Sequence, residues 1–172
     1  MRRCFFAILM PAITAALTAC AANGDPAPTN SPRSGARAGQ IEAVGLLVVN
    51  TAAATAGTVP DTIRINLYFR PRGGGTFVEL TEGTMRLMLF DGVLDRDVDW
   101  RRLQPHLTWN RSAEQLRMWG RGTTHVGWVY SVPLMWRPHQ APRSSQVTIV
   151  GTYYPPDDGE PIHTVPAVVT MR

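Results

Sequence analysis

Between Ile63 and Arg70 the chain alternates strictly. Ile63, Ile65, Leu67 and Phe69 interleave with Arg64, Asn66, Tyr68 and Arg70. A period of two sends successive side chains to opposite faces of an extended backbone, so this segment predicts a half-buried strand. Met85, Leu87 and Leu89 repeat the pattern and end at Asp91-Gly92, a turn pair. Val126, Trp128, Tyr130, Val132, Leu134 and Trp136 extend it over a longer stretch with one apolar face. No helical period of comparable length occurs, so the chain predicts an all-β domain.

The segments between these strands fill in the order. Ala43 to Asn50 is an apolar run of strand length, closed by the small residues of Thr51 to Pro60. Pro71 to Gly75 makes a turn, and Phe77 to Leu80 is expected to begin the return. The triple glycine lacks the spacing, the helix and the lysine of a phosphate cradle. Trp100 to Gly122 reads as irregular. Within it, Ser112 followed by Gln115 has the form of a capping box, and Leu116 and Trp119 would seat a short helix on the core. Pro133 cannot donate to a ladder, so its strand is expected at an edge or with a bulge there. Val147 to Tyr154 is the next strand, Pro155 to Pro161 a turn, and Val165 to Met171 the closing strand.

Tyr130 to Trp136, then Val147-Thr148-Ile149-Val150 with Tyr153, then Asp158-Gly159 and Pro166-Ala167-Val168-Val169-Thr170 resemble the last three strands of bacterial immunoglobulin-like domains. The resemblance covers about the final third of the chain. It implies a Greek-key β-sandwich, with Trp100 to Gly122 as a short helical and irregular insertion.

Ahead of this domain lies a different kind of sequence. Arg2 and Arg3 precede an apolar run from Phe5 to Leu17, and Leu17-Thr18-Ala19-Cys20 follows. A charged start and a short apolar core are the layout of a secretory signal, and the run is short of the roughly 20 residues a membrane span needs. The four residues ending at Cys20 resemble the lipobox of bacterial lipoproteins. That resemblance implies cleavage after residue 19, with Cys20 lipidated and anchored in the membrane by more than one acyl chain, which makes attachment effectively stable. Ala21 and Ala22 lack the aspartate that retains such proteins in the inner membrane, so the resemblance favours the outer membrane of a diderm envelope. Residues 20–40, rich in Ala, Pro, Gly, Ser and Asn, are expected to be a disordered tether. The organisation is thus signal peptide 1–19, lipidated cysteine and linker 20–40, and β-sandwich 41–172.

Composition removes several chemistries. Cys4 leaves with the signal and Cys20 is consumed by lipid, so the domain has no thiol for a disulfide, a nucleophile or a thiolate metal site. Every basic residue is arginine, which removes phosphate-loop, Schiff-base and Ser–Lys mechanisms. The formal charge of +4 falls to +2 without Arg2 and Arg3, and the arginines are scattered, unlike the clustered stripe of a nucleic-acid binder.

Two groups carry the remaining possibilities. Asp91, Asp95, Asp97 and Asp99 form an acidic cluster, in which Asp95-x-Asp97-x-Asp99 puts carboxylates at alternate positions, as at the start of a calcium loop. Trp100 then occupies the place of the required glycine and His106 that of the bidentate glutamate, so a solvated loop paired with Arg96, Arg101 and Arg102 fits better. The weak cation candidates are Asp95, Asp97 and Asp99. The second group is aromatic. Trp100 and Trp109, in the irregular segment, are the expected surface tryptophans, and with Arg101 and Arg102 they form the aromatic-plus-arginine mixture of binding hot spots. Trp128 and Trp136 are expected to be core. His106, His125, His139 and His163 form no metal or catalytic pattern, no nucleophile elbow occurs, and no cofactor is indicated. The leading expectation is a lipid-anchored envelope protein of structural or protein-interaction type, without catalysis. The alternatives are a carbohydrate-binding module using exposed tryptophans and a cryptic envelope hydrolase.

Overall fold

The computed structural model describes residues 35–36, 40–52, 60–95 and 97–171. The expected signal peptide and Cys20 lie outside the described residues, as does Arg96. The rest is an all-β sandwich of two antiparallel sheets with very little helix.

One sheet contains β2 (Ile41–Ala52), β3 (Thr62–Pro71), β8 (Gly127–Met135) and β7 (Gly120–Thr123), in the order β2-β3-β8-β7. The other contains β5 (Thr84–Asp91), β6 (Leu107–Ser112), β9 (Gln146–Tyr154), β10 (Ile162–His163) and β11 (Ala167–Thr170). In it β9 pairs with β5 on one flank and with β10 and β11 on the other, and β6 lies outside β5. Taking the main strands in chain order as A to G gives A-B-E-D in the first sheet. The second reads G-F-C, with β6 added beside C, and this is the strand order of an immunoglobulin-type sandwich. A further short pair joins β1 (Gly35–Ala36), inside the expected tether, in parallel to β4 (Glu79–Leu80).

The alternating segments supply the core. Ile63, Ile65, Leu67 and Phe69 are fully buried, as are Met85, Leu87 and Leu89, and Tyr130, Val132 and Leu134. Phe69 sits at their centre, with its ring centroid 5.5 Å from Tyr130 and 5.6 Å from Tyr153, both edge-on. That is the preferred aromatic geometry, in which a ring edge meets the negative face of its neighbour. Both phenols reach backbone partners: Tyr130 accepts the N–H of Leu80 at 2.5 Å, and Tyr153 donates to the carbonyl of Glu82 at 3.1 Å. Pro133 sits where β8 has one neighbour only, because β7 stops at Gly120 opposite Tyr130.

Three expectations need correction. Residues 100–122 are not an insertion without strands: they contain β6, the helix α1 (Ala113–Arg117) and β7. β6 has only Leu107 and Trp109 as inward apolar residues, and β7 (Gly-Arg-Gly-Thr) has none, so periodicity was too weak to reveal them. Their pairing comes from the open edges of β5 and β8, whose backbone groups need partners. The capping box at Ser112 and Gln115 is present in both directions, and Leu116 is fully buried beneath it. Second, Phe77 to Leu80 makes no regular hairpin with β3. Val78 donates to the carbonyl of Phe69, but Phe77 then bridges in parallel to Gly127. Gly127 has φ near +90°, and a Cβ there would lie 2.2 Å from the carbonyl oxygen of Phe77, so only glycine permits this approach. The third correction, the place of Trp109, concerns the site.

Candidate functional site

The outward face of the β5–β9 sheet carries a second apolar cluster. Met88, Phe90 and Val150 point away from the core, yet they are buried because residues 92–95 and 97–106 fold back over them, with Leu94 and Trp100 packed against the cluster. This covering segment is pinned at both ends. Near its start, Leu94 donates to the hydroxyl of Thr148, which itself donates to the carbonyl of Gly92. At its end, His106 donates through its backbone to Leu89. Its middle is a single 3-10 turn, Trp100–Arg102, capped by the side chain of Asp99.

Strand register lays a polar row across the same face. Asn110 on β6 is opposite Arg86 on β5, Arg86 is opposite Thr152 on β9, and Thr152 is opposite His163 on β10. The Nε of Arg86 donates to Asn110 at 3.3 Å, and its guanidinium lies over the ring of Tyr154, 4.9 Å from the centroid. Thr152 and His163 Nδ1 are 3.0 Å apart. Beyond them Arg101 reaches down from the turn, its Nε 3.3 Å from His163 Nε2 and its guanidinium 5.1 Å from the Trp100 centroid. Trp100 in turn stands edge-on to His163, with 5.1 Å between centroids. Two arginines, each stacked on an aromatic ring, therefore border a buried threonine and a histidine. Burial and the positive charge of Arg101 lower the pKa of His163, opposed by Glu160.

Among the residues expected from sequence, the structure brings Trp100, Arg101 and Arg102 together and separates Trp109 from them. Trp109 is on the inward face of β6, half-buried and packed against the main core, with its indole donating to the carbonyl of Met135. It is not a surface anchor. Asp99 is engaged by Arg101 at 3.3 Å and Arg102 at 3.4 Å. Both pairs are exposed, so they contribute at most about 1 kcal/mol each. Asp95 and Asp97 are exposed, and no three His, Cys, Asp or Glu side chains group as a metal site among the described residues. Asp91 holds a different loop: its carboxylate accepts the backbone N–H groups of Arg143 and Ser144. Desolvation pushes its pKa up, but those hydrogen bonds and nearby His106 outweigh it, and the net shift is downward.

Sequence reasoning missed Arg86, Asn110, Thr152, Tyr154 and His163. The signal was the second parity: if Met85, Leu87 and Leu89 face the core, Arg86, Met88 and Phe90 must share the other face. What joins them to β10 and the 3-10 turn is register, which no local pattern encodes.

Two arrangements bear on catalysis. Arg101 Nε–H can only donate, so His163 Nε2 is the acceptor and the ring proton sits on Nδ1, toward Thr152. In that tautomer the ring cannot take the threonine proton. Asp91 and His106 line one open cavity of about 510 Å³, but His106 Nε2 donates to the carbonyl of Gln140 and Asp91 is occupied by backbone. Neither pair is poised as a base and nucleophile. Compared with family models, curated proteins and solved structures, the chain matches none.

Proposed function

We propose that this protein is a lipid-anchored component of a bacterial cell envelope that works by protein–protein contact, without chemistry of its own. The contact surface in this reading is the outward face of the β5–β9 sheet. The observation that carries it is the clustering there of Arg86 on Tyr154 and of Arg101 on Trp100 beside His163. Arginine stacked on an aromatic ring is pre-ordered, which lowers the entropy lost on binding, and these residue types dominate interface hot spots. The anchor half of the reading rests on the Leu17-to-Cys20 motif, and outer-membrane placement on Ala21 and Ala22.

The carbohydrate alternative needs exposed, flat tryptophan faces. None of the five tryptophans is exposed: Trp136 is buried, and Trp100, Trp109, Trp119 and Trp128 are half-buried. For the hydrolase alternative, His163 and His106 are both engaged by other partners and are not disposed as a base. Protein contact is the reading these observations favour.

A photocrosslinking amino acid placed at Tyr154 of the full-length protein in intact cells tests it. Adducts with one defined envelope protein are expected, and the same probe at Leu47, exposed on the outer face of the other sheet, should give none. Equal labelling from both positions, or none from Tyr154, overturns the contact surface. Cys20→Ser should move the protein from the membrane to the soluble fraction; a variant still membrane-bound removes the anchor.

A further inference from the structure

His163 makes its polar contacts as a neutral imidazole. Its Nε2 lone pair receives Arg101, its Nδ1 proton faces the 1% exposed Thr152, and Trp100 packs on its edge. The covering segment is hydrogen-bonded to the sheet at Leu94 and at His106. Between those points, Trp100 and Arg101 hold the turn down through His163 and through the apolar contact of Trp100 with Met88, Phe90 and Val150. The other residues flanking Trp100, from Asp97 to Asp99 and from Arg102 to Gln104, are all exposed. They add little to keep the turn in place.

We propose that His163 is a pH-operated latch: neutral, it holds the Trp100–Arg102 turn over the Met88–Phe90–Val150 patch, and protonated, it releases the turn and uncovers the patch. A proton on Nε2 removes the acceptor that Arg101 uses and sets a second positive charge 3.3 Å from its guanidinium nitrogen. The Thr152 contact at Nδ1 survives, so the change is confined to the turn. The charged groups around the ring are Arg101 with its partner Asp99 from the turn, Glu160 from the β9–β10 connection and Arg86 across Thr152. Glu42, Arg72 and Asp157 share with His163 the wall of a cavity of about 550 Å³. Burial and Arg101 outweigh Glu160, so the folded pKa lies below the ordinary histidine value of 6.5. The closed turn is therefore fully stabilised above that value and loses this stabilisation as pH falls through the lowered folded pKa. An envelope domain meets the pH of its surroundings, which gives the latch a signal to read. That consequence rests on the envelope location proposed above; the latch itself is measured without any partner.

Hydrogen–deuterium exchange of the full-length protein in detergent, compared at about pH 7.5 and about pH 5.5 after correction for intrinsic rates, tests the latch. Peptides covering Val98 to Leu103 should lose about tenfold in protection at the lower pH, while β5 and β9 keep theirs. In His163→Gln, whose side-chain oxygen still accepts Arg101 but does not titrate, protection should be equal at both pH values. In Arg101→Ala, which changes an exposed side chain and leaves folding intact, protection should be low at both. Unchanged protection in the wild type, or the same pH response in either variant, overturns the latch. Loss of the Tyr154 crosslink with the exchange result intact would instead remove only the contact reading.

Discussion

The indole N–H of Trp109 donates to the backbone carbonyl of Met135 at 3.1 Å, joining β6 in one sheet to β8 in the other. This bond ties the two layers together alongside the apolar packing between them. It also separates Trp109 in kind from Trp100, which covers the outside of the sheet.

The two tryptophans should therefore respond differently to truncation. Trp109→Ala removes core packing and the inter-sheet bond and is expected to cost about 3 kcal/mol. Trp100→Ala uncovers a small outer cluster and should cost about 1–2 kcal/mol. Urea denaturation midpoints measure both. Equal costs would contradict the division of these residues between core and outer face.

Tyr130→Phe leaves the Leu80 N–H buried without its hydroxyl acceptor. Leaving a buried donor unmatched costs about 1–3 kcal/mol even though the ring volume is kept. Tyr153→Phe leaves only a carbonyl, which retains a second lone pair, so its cost should be smaller. Comparison of the two melts decides the order.

Stability should fall on both sides of neutrality, through different groups. Asp91 has a lowered pKa, so its stabilisation is present above the ordinary value of 3.8 and lost as pH falls through the folded value. Asp91→Asn should flatten this acid limb. Burial raises Tyr153 to about 12, with Glu82 and Asp157 adding to the shift. Its contribution is full below pH 10 and lost as pH rises toward 12. Tyr153→Phe should flatten the alkaline limb. A pH series of thermal midpoints for the wild type and both variants checks each sign.

Gly127→Ala should be among the most damaging single-methyl additions. It places a side chain at a positive φ and drives its Cβ against the Phe77 backbone, which no rotamer can relieve. A loss on the order of 2–4 kcal/mol is expected. Gly73→Ala shares the positive φ but meets nothing within 4 Å, so its loss should stay near the conformational cost of about 1 kcal/mol.

The alternating segments at Ile63, Met85 and Tyr130 were legible at once, because side-chain period and burial are set by the same local geometry. The turns at Gly73 and Asp158 were equally plain. The capping box was legible too, since Ser112 and Gln115 act within one helical turn. β6 and β7 were not, and the reason is physical: an edge strand forms when a neighbour leaves its backbone groups open, and Gly-Arg-Gly-Thr contains nothing that announces this. Trp109 was misplaced for the same reason, since the parity of an unrecognised strand cannot be assigned.

The sequence by itself determined the all-β class, the inward residues of the long strands, and the chemistries closed to a domain without cysteine or lysine. It also carries the lipobox-like motif at Cys20 on which the anchor proposal rests. Tertiary structure alone decided which polar residues meet. Arg101 and His163 are 62 positions apart, and Thr152 lies between Arg86 and His163 only because three strands pair in one register. Period-two patterns say which face a side chain occupies but not which strand lies beside it. Pairing between distant strands depends on backbone hydrogen bonds that every residue type can make, so the composition of this site became visible only in the fold.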